Sequence, residues 1–341
     1  MTQRLGLKAN EDEYILMGMA AYGDADRKYK GESLKLQLMN ELGITTHNHK
    51  LHTFKQNLHR GCNWIFPDLT SEQDLFDLAA ATQEVYEIMF DRVIKLAHES
   101  VSFSTNLVLM GGCALNCKAN SMITANYGFK DIWIMPNPGD AGSSIGVTQK
   151  FNEDWNLNWK TPYLGYNIEG DYPVEKSLKA LLDGDIIGIA NGRAEFGPRA
   201  LGNRTLTADP RGPLIKDKMN EIKHRQKFRP FAPMILEEDV HDYFDMPENV
   251  TQSPYMQFVA ECKFPKEFPA IVHIDNTSRV QTVNQLQHPE LYQLLSRFKE
   301  ETGCPMLVNT SLNIKGKPIV NDEQDAIDFS KHYGVKVFTS D

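Results

Sequence analysis

The densest group of side chains that could bind an anion is the run RAEFGPRALGNR. It contains Arg193, Arg199 and Arg204, interleaved with glycines and one proline. A guanidinium binds phosphate or carboxylate through two parallel hydrogen bonds, and glycines let main-chain amides approach the same ligand. A solvated charge run is the usual alternative, but the apolar Phe196 and Leu201 interrupt this one and favour arginines that point inward. The run therefore predicts an anion site.

A second cationic cluster, KHRQKFRPFAP, holds Lys223, Arg225 and Arg229 just before an apolar, proline-punctuated segment. Two such clusters in one domain of an acidic protein could form a nucleic-acid surface, with Phe228 and Phe231 as stacking rings, or a site for a small anion. The prolines suit a packed turn better than a stacking platform, so we prefer the small anion. Further along the chain, the strand end NTSLN offers short polar side chains that bind small ligands but equally form ordinary turns.

Two glycine-rich turns follow apolar strands in the amino-terminal half. The first, GGCALN, contains Gly111, Gly112 and Asn116, and free amides at the helix that follows could bind a phosphate; a ligand-free strand–helix turn is the alternative. The second, PGDAGSS, contains Asp140 and Gly142. Its carboxylate could reach a metal ion or a metal–nucleotide complex, or simply cap the next helix. Spacing alone leaves both turns open.

These motifs need a framework of strands and helices to position them. Residues 71–100 open with a capping box at Ser71 and Asp74 and continue with apolar residues at near-3.6 spacing, which predicts one long amphipathic helix. Apolar strands at 107–110 and 131–135, each followed by a glycine turn and a helix, predict an α/β sheet with ligands at the carboxyl ends of its strands. The first of these helices is expected to run from Ala114 to Thr124, while four histidines between 47 and 59 are better explained by a solvated loop than by a metal site.

The bulk properties are those of an ordinary globular protein with two domains. A polar, turn-rich stretch places the boundary near residue 155, so residues 1–155 form one domain and residues 156–341 a second, α+β domain. The net charge of −9 argues against general attraction to nucleic acid. Five cysteines without a CxxC pair suggest free thiols in a reducing compartment, and no run approaches the roughly 20 apolar residues of a membrane span, so we expect a cytoplasmic protein.

Taken together, the motifs resemble the carbamoyltransferase family of antibiotic and nodulation-factor biosynthesis. Across nearly all of residues 5–325 the matching runs occur in the family's order: EDEYILMGMAAYG, GGCALNCKAN, PGDAGSSIG, EFGPRALGNRTLTADPR, KHRQKFRPFAP and NTSLNIKGKPIV. The resemblance implies a partial actin-like (Kae1-like) domain followed by a YrdC/Sua5-like domain. It also implies that the second domain forms carbamoyl adenylate from carbamoyl phosphate and ATP with Mg²⁺, and that the first moves the carbamoyl group to a hydroxyl of a small-molecule acceptor with Fe²⁺ or another divalent metal.

The resemblance also implies roles for individual residues. The expected catalytic residues are Lys223, Arg229 and Arg199. Residues expected to bind carbamoyl phosphate or ATP are Arg193, Arg204, Arg225, Ser311 and Asn313, because KHR and SLN fit the Lys-x-Arg and Ser-x-Asn signatures of YrdC-like proteins. Residues expected to hold the nucleotide in the Kae1-like half are Gly111, Gly112, Asn116 and Gly142. The expected metal ligand is Asp140.

The chain departs from the family at its start. The family's Kae1-like half begins with a long segment that carries a histidine pair for the metal, and no histidine of this chain matches it. We therefore expect a fragment or one half of a split enzyme whose other half is a separate polypeptide. An exposed apolar face around MGMAAY, where the missing segment would pack, would favour a partner chain or self-association. Two alternatives remain: a non-catalytic nucleotide- or anion-binding subunit, and a tRNA-threonylcarbamoylating enzyme, which the acidic charge disfavours.

Overall fold

The computed structural model describes residues 1–44, 58, 61–151 and 159–341 of the chain, and its architecture is mixed α/β. The histidine-rich stretch and the expected boundary near residue 155 lie outside the described residues. Contacts divide the chain into two compact units, one formed by residues 1–105 with 122–129 and the other by residues 106–121 with 130–341. The two strands predicted near residues 107 and 131 thus belong to the same unit as the second half of the chain.

Helices and strands are interspersed along the described residues. In the first half they are α1 (Glu13–Met19), β1 (Lys28–Tyr29), β2 (Glu32–Ser33), α2 (Leu34–Leu42), α3 (Glu72–Ser100), β3 (Asn106–Leu109), α4 (Cys117–Asn120), α5 (Ile123–Tyr127), β4 (Asp131–Ile134) and α6 (Ser143–Lys150). In the second half they are β5 (Tyr163–Ile168), α7 (Val174–Leu182), β6 (Ile187–Ala190), β7 (Gly192–Glu195), β8 (Arg204–Thr207), α8 (Ile215–Ile222), β9 (Ala232–Leu236), α9 (Val240–Tyr243), β10 (Phe244–Asp245), β11 (Val259–Cys262), β12 (Thr277–Arg279), β13 (Gln281–Val283), α10 (Pro289–Thr302), β14 (Met306–Ser311), α11 (Glu323–Tyr333) and β15 (Lys336–Phe338).

The long helix α3 organises the first unit, and its predicted capping box is confirmed. The Ser71 hydroxyl accepts a hydrogen bond from the Asp74 amide at 3.2 Å, and the Asp74 carboxylate accepts one from the Ser71 amide at 2.9 Å. Bonds from Ser71 and from the Arg27 guanidinium lower the pKa of Asp74 below its usual range. Helices α1 and α2 pack against the apolar face of α3, on which Leu78 is fully buried.

The expectation of an exposed apolar face around MGMAAY is wrong for this unit. Met19 and Ala20 are buried, and the Tyr22 ring packs on Phe76 of α3 at 5.4 Å between centroids. The backbone contact is so close that a Cβ at Gly23 would lie 2.0 Å from the Phe76 carbonyl oxygen. These apolar residues are covered by α3, which lies far from them in the chain, so a motif taken alone does not reveal the contact.

A six-stranded mixed sheet forms the centre of the second unit, in the order β13–β9–β14–β8–β6–β15. The neighbours β9, β14, β8 and β6 are antiparallel, and the outer strands β13 and β15 run parallel to β9 and β6. Every residue of β6, β8 and β9 is buried, as expected for central strands covered on both faces. Helix α10 contributes Leu294 and Phe298 to the core beneath this sheet.

The predicted strands near residues 107 and 131 are confirmed as a parallel pair, β3 and β4, in the second unit. The pair packs through Ile134 against Val250 and Phe258. The single helix expected from Ala114 to Thr124 is instead a 3-10 turn followed by α4 and α5. Asn116 interrupts it because its backbone leaves the helical region, at ψ 84°, and its side chain caps α4 by accepting from the Ala119 amide.

We predict that Ser71→Ala lowers the free energy of unfolding by about 1 kcal/mol, because one amide at the start of α3 loses its acceptor. Urea denaturation followed by circular dichroism measures this loss. Thr70→Ala is the matched control, since the Thr70 side chain makes no hydrogen bond within the described residues. Equal losses in both variants would contradict the capping role.

Candidate functional site

Strand register brings the arginine motif and the NTSLN motif to one end of the central sheet. Ser311 at the end of β14 pairs with Thr205 at the start of β8, and Ala190 at the end of β6 pairs with Arg204. The Leu312 amide also donates to the Arg204 carbonyl at 2.9 Å. The loop between β7 and β8 and the segment that follows β14 therefore lie side by side, although more than a hundred residues separate them in the chain.

Lys223 joins the same end of the sheet from the carboxyl end of α8. Its side chain is buried, and Nζ donates to the Ser311 carbonyl, to Ser311 Oγ at 3.3 Å and to Asn313 Oδ1 at 2.9 Å. The Ser311 hydroxyl donates to Asn313 Oδ1 at 2.6 Å, so Lys223 meets only acceptors. Three residues from the two predicted signatures are thus in direct contact.

Within the described part of the chain, the charge of Lys223 has no carboxylate among its bonded neighbours. Each of the three oxygens that accept from Nζ belongs to a carbonyl, a hydroxyl or an amide. Burial lowers the pKa of Lys223 well below the ordinary lysine value, and the nearby guanidinium charges of Arg225 and Arg229 lower it further. A buried cation beside two others is costly unless an anion approaches it, so this arrangement is electrostatically suited to bind one.

The loop between Lys223 and Arg229 is held by the buried Asn220. Asn220 Nδ2 donates to the carbonyls of Lys227 and Arg229, and Asn220 Oδ1 accepts from Arg225 Nε at 2.6 Å. The Arg225 guanidinium lies over the ring of the buried Phe231, 4.1 Å from its centroid. Because that ring face is already covered, Phe231 does not offer the stacking surface that the nucleic-acid interpretation requires.

Arg204 has a structural role in place of the ligand contact expected from the motif. Its side chain is 1% exposed, and all three guanidinium nitrogens donate to main-chain carbonyls. The acceptors belong to Tyr166, Asn191, Gly192, Asn203 and Asn321. Arg193, by contrast, is exposed on β7 and donates to the Gly165 and Leu164 carbonyls, at 3.2 and 3.5 Å. Arg199 is half-buried and is the last residue of the tip, residues 197–199, of the loop between β7 and β8.

Sequence reasoning missed the residues that hold this loop. Glu195 Oε1 accepts from the amides of Leu201, Asn203 and Arg204 at 2.7, 2.8 and 3.2 Å. Tyr163, Tyr172, Gln281, His288 and Asn309 bond to the same loop from other elements. Only Glu195 left a signal in the sequence, as the one acidic residue within the arginine motif.

The two glycine turns of the amino-terminal half meet at the carboxyl ends of β3 and β4, as predicted. The Gly111 amide donates to the Pro138 carbonyl at 2.7 Å, and a Cβ at Gly142 would lie 1.9 Å from the Asn137 carbonyl oxygen. A Cβ at Gly197, in the arginine motif, would lie 2.5 Å from the Pro136 carbonyl oxygen. The arginine loop therefore touches the turn that carries Asp140.

The residues near this junction do not assemble a metal centre by themselves. Asp140 is exposed, and its carboxylate forms no hydrogen bond or ion pair within the described part of the chain, so the helix-cap alternative gains no support. Within residues 1–44, 58, 61–151 and 159–341, no group of three His, Cys, Asp or Glu side chains could hold a metal ion. The described residues therefore do not fit the metal that the resemblance implied.

Comparison with known proteins identifies the family. Residues 1–148 match the carbamoyltransferase N-terminus, and residues 178–340 match the carbamoyltransferase C-terminus. The chain belongs to the carbamoyltransferase family. The resemblance drawn from its motifs is thereby confirmed. Among the described residues, no helix combines the length and the apolar character needed to cross a bilayer.

Several carbamoyltransferase relatives align over most of the chain. Nodulation protein NolO of Bradyrhizobium diazoefficiens is 33% identical over 93% of this chain and 62% of its own length. The 3'-hydroxymethylcephem-O-carbamoyltransferase of Amycolatopsis lactamdurans is 31% identical over 73% of this chain and 50% of its own length. A solved structure of full-length HypF in its phosphate- and nucleotide-bound form covers 50% of this chain and 21% of that chain, with 21% identity and a TM-score of 0.34. The chain thus spans less than two thirds of the curated relatives it matches.

We predict that Arg204→Lys lowers the free energy of unfolding by about 3 kcal/mol, because a lysine has three donors for the five carbonyls that Arg204 serves. Arg193→Lys is the matched control from the same motif and should change stability by less than about 0.5 kcal/mol. Thermal and urea unfolding of both variants measure the difference. A small loss for Arg204→Lys would contradict its structural role.

We also predict that sulfate binding weakens as pH rises through the lowered pKa of Lys223, well before an ordinary lysine would lose its proton at about 10.4. The sign follows because only the protonated amine attracts the anion, and sulfate keeps its charge across this range. Calorimetric titrations of the parent and Lys223→Met at several pH values test it. The exposed Lys227→Met, from the same loop, should keep the parent profile; a parent profile unchanged up to pH 10 would refute the prediction.

Proposed function

We propose that this chain acts in O-carbamoyl transfer and that its second half catalyses the activation of the carbamoyl group. In this proposal water releases phosphate from carbamoyl phosphate, and an oxygen of the resulting carbamate attacks the α-phosphate of ATP. The products are carbamoyl adenylate and pyrophosphate. Membership of the carbamoyltransferase family supports the reaction class, and the name of the Amycolatopsis relative, an O-carbamoyltransferase, supports a hydroxyl acceptor.

One observation carries the activation step. Among the described residues, the buried Lys223 is bonded only to neutral oxygens, and it lies near two further cations. Carbamoyl phosphate and the ATP triphosphate are small polyanions, and each would neutralise this cluster. A nucleic-acid ligand is a weaker candidate, because Phe231 is buried beneath Arg225 and the chain carries a net charge of −9.

The residues of the sheet end can divide the work of this step. Lys223, Arg229 and Arg199 would neutralise the phosphates and stabilise the charge that develops as the bond to the α-phosphorus forms. Ser311 and Asn313 already share hydrogen bonds with Lys223, and they would orient the carbamoyl group. Arg225 and Arg193 would make outer phosphate contacts, and Mg²⁺ would arrive with the nucleotide.

The transfer step belongs, in our proposal, to the turns at the ends of β3 and β4. Gly111, Gly112 and Gly142 would let the nucleotide part of the intermediate approach the backbone. Asn116 shapes the first turn by capping α4. The close contact of Gly197 with the Pro136 carbonyl supports neighbouring activation and transfer sites.

Transfer also needs residues beyond those described. The described residues supply Asp140 but no group of metal ligands, so no step is assigned to a metal here. The parallel pair β3–β4 also exposes an apolar side chain, with Val108 of β3 63% accessible, whereas parallel strands are normally covered. Val147 of the helix α6 that follows β4 is likewise 59% accessible. We propose that further polypeptide, from the same or a separate chain, covers this pair and contributes the remaining ligands and acceptor contacts.

ATP–pyrophosphate exchange that depends on carbamoyl phosphate tests the proposed activation. We predict exchange by the purified chain and a loss of at least about 100-fold in Lys223→Met, because the cation nearest the developing charge is removed. Lys227→Met is the matched control and should retain the parent rate. Absence of exchange from a folded chain that binds pyrophosphate through Lys223 would instead favour a non-catalytic anion-binding subunit.

A further inference from the structure

The loop between β7 and β8 has two parts with different anchoring. Its second part, residues 200–204, has main-chain groups bonded on both sides: the Ala200 carbonyl accepts from Asn309 Nδ2 at 2.8 Å, and the Gly202 carbonyl accepts from the Tyr172 hydroxyl at 3.0 Å. The Gly202 amide donates to Thr205 Oγ1 at 3.0 Å. The tip, Gly197 to Arg199, instead turns through a glycine at φ 148°.

Glu195 is the centre of this anchoring. One carboxylate oxygen accepts three main-chain amides, two of them at 2.7 and 2.8 Å, which is the length of a charge-assisted hydrogen bond. The acceptor stands at the end of β7, immediately before the tip, and its three donors stand immediately after it. The carboxylate thus closes the loop at its base. Its negative charge also acts on the buried Arg204 guanidinium. Burial lowers the pKa of Arg204, and the charge of Glu195 raises it by a smaller amount.

We propose that Glu195 is a positioning residue, which fixes the base of the loop so that Arg199 is held ready to bind the phosphate groups of the substrate. The proposal rests on the anion site of the proposed function and adds a residue to it. Glu195 itself does not touch the ligand: its bonded oxygen is saturated by amides, and a carboxylate repels phosphate. Its effect on binding passes through Arg199.

The chemistry of the bond explains why the position requires an acid. A glutamine would keep the shape, but its neutral oxygen is a weaker acceptor for three amides. The tip would then sample more conformations. In the variant, the conformational entropy of Arg199 would be lost when the ligand binds, whereas in the parent it is already lost when the protein folds. The same change would leave the contacts of Lys223 with Ser311 and Asn313 unaltered. Glu195→Gln should therefore weaken anion binding only by reducing the contribution of Arg199 to the affinity.

A double-mutant cycle on pyrophosphate binding tests this proposal without requiring catalysis. Calorimetry would compare the parent, Glu195→Gln, Arg199→Ala and the double variant, with Glu300→Gln on the exposed face of α10 as the matched loss of charge. We expect about tenfold weaker binding in each of Glu195→Gln and Arg199→Ala, and no further weakening when Glu195→Gln is added to Arg199→Ala. Glu300→Gln should bind as the parent does.

A purely structural role gives a different result. Glu195→Gln would then lower the unfolding temperature and weaken binding by the same factor with or without Arg199, which would overturn the proposal. Affinity independent of Arg199 would overturn it as well. If Glu195→Gln does not fold, Glu195→Asp, which keeps the charge but shortens the side chain, takes its place in the cycle. If the two substitutions are coupled but the parent shows no ATP–pyrophosphate exchange, only the proposed activation is rejected. If the parent shows exchange but the effects of the two substitutions on affinity are additive, only the positioning role of Glu195 is rejected.

Discussion

The second half of this member of the carbamoyltransferase family depends on one buried cation, the guanidinium of Arg204. It bonds the carbonyls of five residues that lie on β5, on both sides of the β6–β7 turn, in the arginine loop and before α11. Without the guanidinium these carbonyls would be buried and unpaired, and without the carbonyls the charge would be stranded in the protein interior. This mutual requirement fixes the sheet end at which the candidate anion site is built.

Two buried cations at that sheet end have different surroundings and therefore different roles. The donors of Arg204 are used by main-chain carbonyls, and the charges of Glu195 and Asp322 act against the lowering of its pKa by burial. Lys223 is bonded to neutral oxygens, and its charged neighbours are Arg225 and Arg229. The first arrangement is complete without a ligand, whereas in the function proposed above an anion would neutralise the second. Both residues are buried cations, so their type does not distinguish the two roles. The charges of the neighbouring groups distinguish them.

Local pattern predicted most of the elements but fewer of the site residues. The helix Glu72–Ser100 and the strands β3 and β4 could be predicted because the apolar spacing and the capping box that define them lie in their own local sequence. The helix expected from Ala114 was broken because Asn116 caps a new one, a competition that apolar spacing does not reveal. The role of Glu195 was not predicted from the sequence. Its three amide donors come after a tight loop, and the surrounding fold determines how that loop closes.

The sequence by itself determined the family, the two cationic motifs and the order of strands, glycine turns and helices, because these depend on residue types within short stretches. Only the tertiary structure decided which arginine is structural and that Ser311 and Asn313 serve Lys223. Those outcomes rest on contacts such as Lys223 to Asn313, ninety residues apart, and Arg204 to Asn321. Such contacts arise from strand register and burial. The energies of the buried charges and of their hydrogen bonds depend on neighbours that are distant in the sequence.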